Sequence, residues 1–446
     1  RSHERVRAAV IADDRPDLLV GLDAWGGDTR DVGVVTGAVL PGAAAGAVWV
    51  FSGHGSHWAG MGRELLSGEP AFAAVVDAVE PVFAAELGFS VRAALAAGEL
   101  GDTDRIQALT FVMQVGLAAV LRGRGVTPAA VIGHSVGEVA ACVTTGVFDL
   151  AHGAAVACYR ARGFRSVLGQ GAMALVRLPF GDVSRRLCGR TDVMAAISSS
   201  PESTVISGAV DTVEQVCRAW SDDGVLVRRV ATDVAFHSPA MDALTGELAH
   251  NVAGLGPSRA AAIPLYTTAL PDPRSSAPRD ADYWVANLRG RVRFAEAVAA
   301  AAEDGHRLFL EVSAHPVVSH SFVETLGADD HAVIPVLRRD QSETRCVTTA
   351  VAGLWCHGAP VDHGVTADTP WAAELPGTQW QHRRFWRTPT PPPGGNGLHD
   401  VEAHTLLGGC TDVTGPVPAR VWQTRLDSST RPYPGDPPVQ GTEIVP

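Results

Sequence analysis

The run AVWVF at positions 47–51 holds five apolar residues without a polar interruption. A short run of this kind, ended by the turn residues SGHG, predicts a strand buried on both faces. AAVIG (129–133) and LFLEVS (308–313) repeat the pattern. Between these runs the period changes. Apolar residues recur at helical spacing over 104–122, a helix is expected from about Trp58, and GEVAACV after the second run reads as another. Strands alternating with helices predict a parallel α/β sheet.

Residues 171–232 follow a different order. AMALVRL, VMAAIS, TVISGA and VLVRRVA read as strands, and GDVSRRLCGR and DTVEQVCRAWSDDG as helices. Their order, βαββαβ, is the split βαβ or ferredoxin-like pattern. The expected fold class is therefore α/β: a large α/β-hydrolase-like domain with a small ferredoxin-like domain inserted. Both ends differ from this middle. Residues 1–45 predict one amphipathic helix and a Gly/Ala-rich link. After residue 340 come a helix (TTAVAGLWCHG), a Trp/Arg-rich segment (TQWQHRRFWRT) and PTPPPGGNG, a linker by composition. The stretch to Pro446 has strand-like fragments but is too short to bury a core of its own.

Composition narrows the function. The chain has 446 residues, of which 46% are hydrophobic, enough for a sizeable core in two or three domains. A net charge of −12 opposes non-specific nucleic-acid binding, which draws on basic patches. No uninterrupted apolar run approaches the roughly 20 residues that span a bilayer. The opening RSHERVRAAV lacks a signal-peptide core, so no membrane partner and a cytoplasmic location are expected. Seven scattered cysteines, none in a C-x-x-C pair, suggest free thiols. His315 and His320 are five apart, which does not suit a helical zinc site, and no metal is expected.

The candidate chemistry lies in IGHSVGEVA (132–140). G-x-S-x-G between strand and helix is the nucleophile-elbow pattern, which aims Ser135 outward at a helix N-terminus. Gly-Ser-Gly spacing can also mark an ordinary loop. An elbow serine needs a base. His134 would point away from it and pack. His237, in DVAFHSPAMD, follows the return of the chain from the small domain, where clefts form; a plain loop histidine is the other reading.

Five blocks then occur in order: FSGHGSHWAGMGREL, GHSVGE, VACYRARGF, DVAFHSPAMD and YWVANLRGRVRF. Together they closely resemble the acyltransferase domains of modular polyketide synthases and the malonyl-CoA:acyl-carrier-protein transacylases. The resemblance covers about 47–340. It implies a large subdomain over 46–170 and 236–340 and a ferredoxin-like one over 171–235. It also implies a ketosynthase-to-acyltransferase linker over 1–45 and a post-acyltransferase linker over 341–398. HTLLGG and RPYPGDPPVQGTEIVP resemble the opening of a dehydratase domain over 399–446, with Pro437 where that family has its catalytic histidine, implying an inactive one.

The resemblance assigns roles. Ser135 is the nucleophile and His237 its base, oriented by a backbone carbonyl at Asn287. The N–H groups of His54 and Val136 form the oxyanion hole, although the family usually has glutamine at 54 and 57. Arg160 pairs with the free carboxylate of a malonyl-type substrate, through a two-point fork that guanidinium geometry allows. Gln107, Val234, Ala235 and Phe236 line the acyl pocket. No bound cofactor is implied. The substrates are a malonyl-type CoA thioester and the phosphopantetheine arm of an acyl carrier protein, with a ketosynthase adjacent in the parent polypeptide. In VAFH (234–237), bulky Phe236 favours malonyl, and Val136 leans the same way. The preceding Asp-Val-Ala, and a likeness to the mycocerosic-acid-synthase branch, favour 2-alkylmalonyl; both stand. A serine hydrolase or thioesterase, or a non-catalytic docking module, are the competing functions, and the elbow alone fits the hydrolase equally well.

Overall fold

The computed structural model describes residues 4–26, 33–327, 330–362 and 409–423. The chain opens with β1 (Val6–Val10), α1 (Arg15–Gly26) and β2 (Val34–Ala38), and β1 pairs antiparallel with β2. The sequence predicts only the helix here. The flanking strands are read poorly because VRAAV and VVTGA are short and contain alanine and glycine, which are poor strand signals. Asp14 caps α1, its carboxylate accepting the Asp17 N–H at 2.8 Å.

The large unit follows: β3 (Ala47–Phe51), α2 (Arg63–Gly68), α3 (Pro70–Leu87), α4 (Val91–Ala97), α5 (Thr103–Gly123), β4 (Pro128–Gly133), α6 (Gly137–Thr144) and α7 (Leu150–Phe164). The helix expected from Trp58 starts only at Arg63. Gly60 and Gly62 stand at φ of 92° and 77°, left-handed backbone that cannot belong to a right-handed helix. α5 is long and apolar enough to cross a membrane, but most of it is buried in the core, against α3, α6 and α7.

The small unit comprises β5 (Gly171–Val176), α8 (Phe180–Arg186), β6 (Val193–Ser200), β7 (Ser203–Ala209), α9 (Val210–Asp222) and β8 (Val227–Arg229). The chain then returns through α10 (Asp242–Ala253), β9 (Leu265–Tyr266), α11 (Ala281–Arg289), β10 (Val292–Arg293), α12 (Phe294–Glu303), β11 (Leu308–Glu311), α13 (Ser319–Leu326), β12 (Ala332–Pro335) and α14 (Glu343–Cys356).

The large sheet has the order β12-β11-β3-β4-β9, with every pair parallel. β3 and β4 are central, and Trp49, Phe51, Phe111, Phe294 and Phe309 fill the core around them. The small sheet has the order β10-β6-β7-β5-β8. Its four sequential strands are antiparallel and make the ferredoxin-like order, packed on α8 and α9 through Val183, Ile206, Val213 and Trp220. The edge strand β10 comes from the returning chain and pairs parallel with β6. It ties the small unit to the segment just after α11. Glu324 on α13 adds a second tie, accepting hydrogen bonds from Ser200 and Ser203.

The architecture is thus α/β, with a parallel sheet and an inserted ferredoxin-like unit. Separately, β13 (Gly409–Val413) and β14 (Ala419–Gln423) form an antiparallel hairpin. The Trp/Arg-rich segment after residue 376, the HTLLGG run up to residue 408, and Pro437 lie outside the described residues.

Candidate active site

Ligand sites on parallel sheets lie beyond the carboxyl ends of the strands. The loops after β3 and β4 meet there. The β4–α6 turn is held by the His134 N–H donating to the Phe51 carbonyl at 2.9 Å. Its two glycines are required by contact. A Cβ at Gly133 would stand 2.4 Å from the Glu138 Cα, and one at Gly137 would stand 2.1 Å from the Phe51 carbonyl oxygen. Between them Ser135 takes φ 55°, left-handed backbone that a non-glycine residue adopts only under constraint.

Ser135 Oγ lies 2.7 Å from His237 Nε2. His237 also has a left-handed φ, 56°. Its Nδ1 is 3.0 Å from the Gly290 carbonyl, an oxygen that can only accept. These partners put the proton on Nδ1 and leave Nε2 to accept from the serine. The ring is buried. Burial above all, then the positive charge of Arg160 and the neighbouring His134, lowers its pKa to about 3, so the imidazole is neutral. The carbonyl expected at Asn287 is joined at the ring by a second one. The Asn287 carbonyl acts on the ring in the same sense, but the hydrogen-bond partner of Nδ1 is Gly290, three residues on, where the end of α11 turns its carbonyl inward.

Arg160, on α7, is buried with 3% of its surface exposed. Its Nη1 donates to Asn287 Oδ1 at 2.5 Å, and its Nε has no protein partner. Among the described residues no carboxylate forms a salt bridge with it; Glu138 raises its pKa from further off, while burial lowers it to about 10. A buried guanidinium without an acidic partner is costly unless another anion is supplied. The Asn287 amide donates through Nδ2 to the Ser135 carbonyl at 3.2 Å.

Val136 stands at the N-terminal end of α6, and His54 follows β3. The His54 ring is held at both nitrogens. Nε2 is 3.2 Å from the Ala231 carbonyl, so it donates, and Nδ1 is 3.2 Å from Gln107 Nε2, so it accepts. Burial, aided by His57 with ring centroids 4.9 Å apart, lowers its pKa to about 4. Gln107, expected along the acyl pocket, thus spends its amide on His54. Phe236 is 6% exposed. It stands edge-on to Phe164 at 5.0 Å and 5.6 Å from the His54 ring. Val234 and Ala235 are buried behind it, and a Cβ on Gly171 would come within 2.0 Å of the Ala235 nitrogen. Asp233 anchors this loop, accepting from Thr103 Oγ1 at 2.7 Å and the Gly169 N–H at 3.1 Å.

Sequence reasoning passes over Glu138, although GHSVGE contains it. Its buried carboxylate accepts from the Thr268 N–H at 2.9 Å, from Thr268 Oγ1 at 2.7 Å and from Tyr283 Oη, and burial raises its pKa. Tyr283 and Asn287 are one turn apart on α11, so that helix is fastened to the elbow at two levels. The signal was the four-residue spacing in YWVAN, which puts both side chains on one face.

The arrangement supplies a nucleophile, a neutral base, backbone donors at a helix N-terminus and a buried cation. The family model of the acyl transferase domain matches residues 48–359. Among curated proteins, the chain is 47% identical over 456 residues to 5-methyl-1-naphthoate synthase of Streptomyces sahachiroi, an alignment covering 100% of this chain and 25% of that protein. It is 42% identical over 455 residues to 6-methylsalicylic acid synthase of Penicillium patulum, with the same coverage of 100% and 25%. The chain therefore spans about a quarter of the length of these curated relatives. Among solved structures, it resembles the acyltransferase domain from module 8 of the salinomycin polyketide synthase. There the identity is 34% and the TM-score 0.77, covering 81% of this chain and 87% of the other. The acyltransferase domain of the polyketide synthase PpsC of Mycobacterium tuberculosis matches at 40% identity and TM-score 0.63, covering 66% and 92%.

Proposed function

The chain belongs to the acyl transferase domain family and is an acyltransferase of the kind found in polyketide synthases; from that premise we propose that it loads a malonyl group from coenzyme A onto Ser135 and passes it to an acyl carrier protein. The observation that carries the substrate class is Arg160: a buried guanidinium with an unpartnered Nε and no salt bridge among the described residues, close enough for its charge to act on His237 and joined through Asn287 to the Ser135 backbone. A substrate carboxylate meets both needs at once.

The chemistry follows from the geometry. His237 Nε2 takes the Ser135 proton as Oγ attacks the thioester carbonyl. The oxyanion is received by the N–H groups of Val136 and His54. The imidazolium returns the proton to the departing CoA sulfur, and a seryl ester remains. The pantetheine thiol of the carrier then attacks the ester carbonyl, with His237 taking the thiol proton and returning it to Ser135 Oγ. The cycle is ping-pong, and no cofactor enters it. The adjacent ketosynthase and the carrier are partners in the parent polypeptide.

Phe236 favours malonyl over a longer 2-alkyl unit. Its buried ring packs against Phe164 and His54, and a longer 2-alkyl chain would have to displace those contacts. A 2-alkylmalonyl donor is the second reading, and a serine hydrolase the third. The test isolates the labelled malonyl-enzyme and adds a holo carrier protein. The label moves to the carrier faster than it appears as free malonate. Release of free malonate at a rate unaffected by carrier makes the protein a hydrolase.

A further inference from the structure

Asn287 has a side chain whose two ends are both committed, and to different parts of the site. Its Oδ1 accepts from Arg160 Nη1 at 2.5 Å, and its Nδ2 donates to the Ser135 carbonyl at 3.2 Å. The residue is buried, with 3% of its surface exposed, on the helix that ends at the Gly290 carbonyl holding His237. We propose that the Asn287 carboxamide is the positioning residue that sets the substrate specificity of this acyltransferase, by holding Arg160 at a fixed place relative to Ser135 while leaving its charge unspent. This inference rests on the carboxylate-anchoring reading of Arg160.

A guanidinium has five N–H donors in a planar fork. Asn287 occupies one of them with a neutral acceptor, which orients the fork without cancelling its charge. The buried Nε has no protein partner, so the guanidinium keeps donor capacity beyond the one that Asn287 takes. Aspartate in the same place would reach Arg160 as well. It would pair with the guanidinium, remove the unspent charge, and set a lone pair against the Ser135 carbonyl where the amide now donates. An alanine would leave the guanidinium free to drift relative to Oγ. Either change weakens a donor that carries a carboxylate more than one that does not. Glu138 keeps the arrangement stiff by fixing Tyr283, one turn earlier on α11.

The experiment measures acylation of the full chain by malonyl-CoA and by acetyl-CoA, and compares their kcat/KM ratio. The variants are Asn287→Ala, Asn287→Asp, Arg160→Ala and the Asn287→Ala/Arg160→Ala pair. The malonyl-to-acetyl ratio falls tenfold or more in Asn287→Ala, chiefly through KM for malonyl-CoA, and falls further in Asn287→Asp. In the Arg160→Ala background, removing Asn287 changes the ratio less than twofold. Because Asn287→Asp is isosteric, it carries the test if the alanine variant fails to fold. Equal losses for both donors, with wild-type discrimination intact, make Asn287 a scaffold residue and overturn the inference alone. A wild-type protein that loads acetyl as well as malonyl overturns the reading of Arg160, and this inference with it.

Discussion

Ser135 and His237 are two of the three non-glycine residues among those described with positive φ, at 55° and 56°. Each such conformation costs on the order of 1–2 kcal/mol, so packing must hold both in place. The same packing sets the protonation of the base. Burial, with the charge of Arg160 second, lowers the His237 pKa from 6.5 to about 3. A base works in its deprotonated form, so activity is lost only as pH falls through the lowered value. The kcat/KM for acylation should therefore stay flat from pH 8 to pH 5, measured by rapid quench. Arg160→Ala removes one of the charges that lower the pKa, and the acid limb should move up. An acid limb centred near pH 6.5 in the wild type would contradict this electrostatic account. The G-x-S-x-G spacing made the elbow legible in the sequence, because its glycines answer a local steric demand. The amide role of Asn287 was not legible. Whether a helix contributes a carbonyl or a side chain depends on how it is rotated against its neighbours, and no local pattern reports that.

At the scale of elements, two carboxylates, buried Glu343 and half-buried Glu64, exchange helix ends. Glu343, at the start of α14, accepts from the N–H groups of Gly62, Glu64 and Leu65 at the start of α2, at 2.6, 3.1 and 3.2 Å. Glu64 in turn accepts from the Glu343 N–H and from Ser342 and Thr344 at the start of α14. Each carboxylate fills donors that the other helix leaves open. Glu343→Ala strands three N–H groups, two of them in buried hydrogen bonds. It should lower the unfolding free energy by about 2 kcal/mol or more, read from urea unfolding, because each unmet buried donor costs roughly 1–3 kcal/mol. A change below about 0.5 kcal/mol would show that water satisfies these groups equally well. Strands with dense apolar runs, such as AVWVF and LFLE, were legible by pattern. β10 was not: a two-residue strand carries no periodicity, and its partner β6 lies nearly a hundred residues earlier. Glu343 and Glu64, 279 residues apart, were hidden for the same reason.

At the scale of the molecule, the site sits where the large and small units meet. The large sheet delivers His54 and Ser135 from the ends of β3 and β4, and the chain leaving β8 delivers Phe236 and His237. α11 and β10 then join the nucleophile, the base and the edge of the small sheet in one continuous segment. Nucleophile and base are thus tied to one continuous segment of the returning chain. The order of the strands was legible in outline, since alternation and βαββαβ order are properties of the chain. The closeness of Arg160 to Ser135 belongs to the assembled packing.

The central claim is that Ser135 carries a carboxylated acyl group held by Arg160. The most direct measurement is the intact mass of the protein after mixing with acetyl-, malonyl- and longer alkylmalonyl-CoA, with Ser135→Ala alongside. The account predicts one malonyl adduct on the wild type, much less acetyl or alkylmalonyl, and none on Ser135→Ala. Acetyl adducts as abundant as malonyl, or adducts that survive the loss of Ser135, would contradict it.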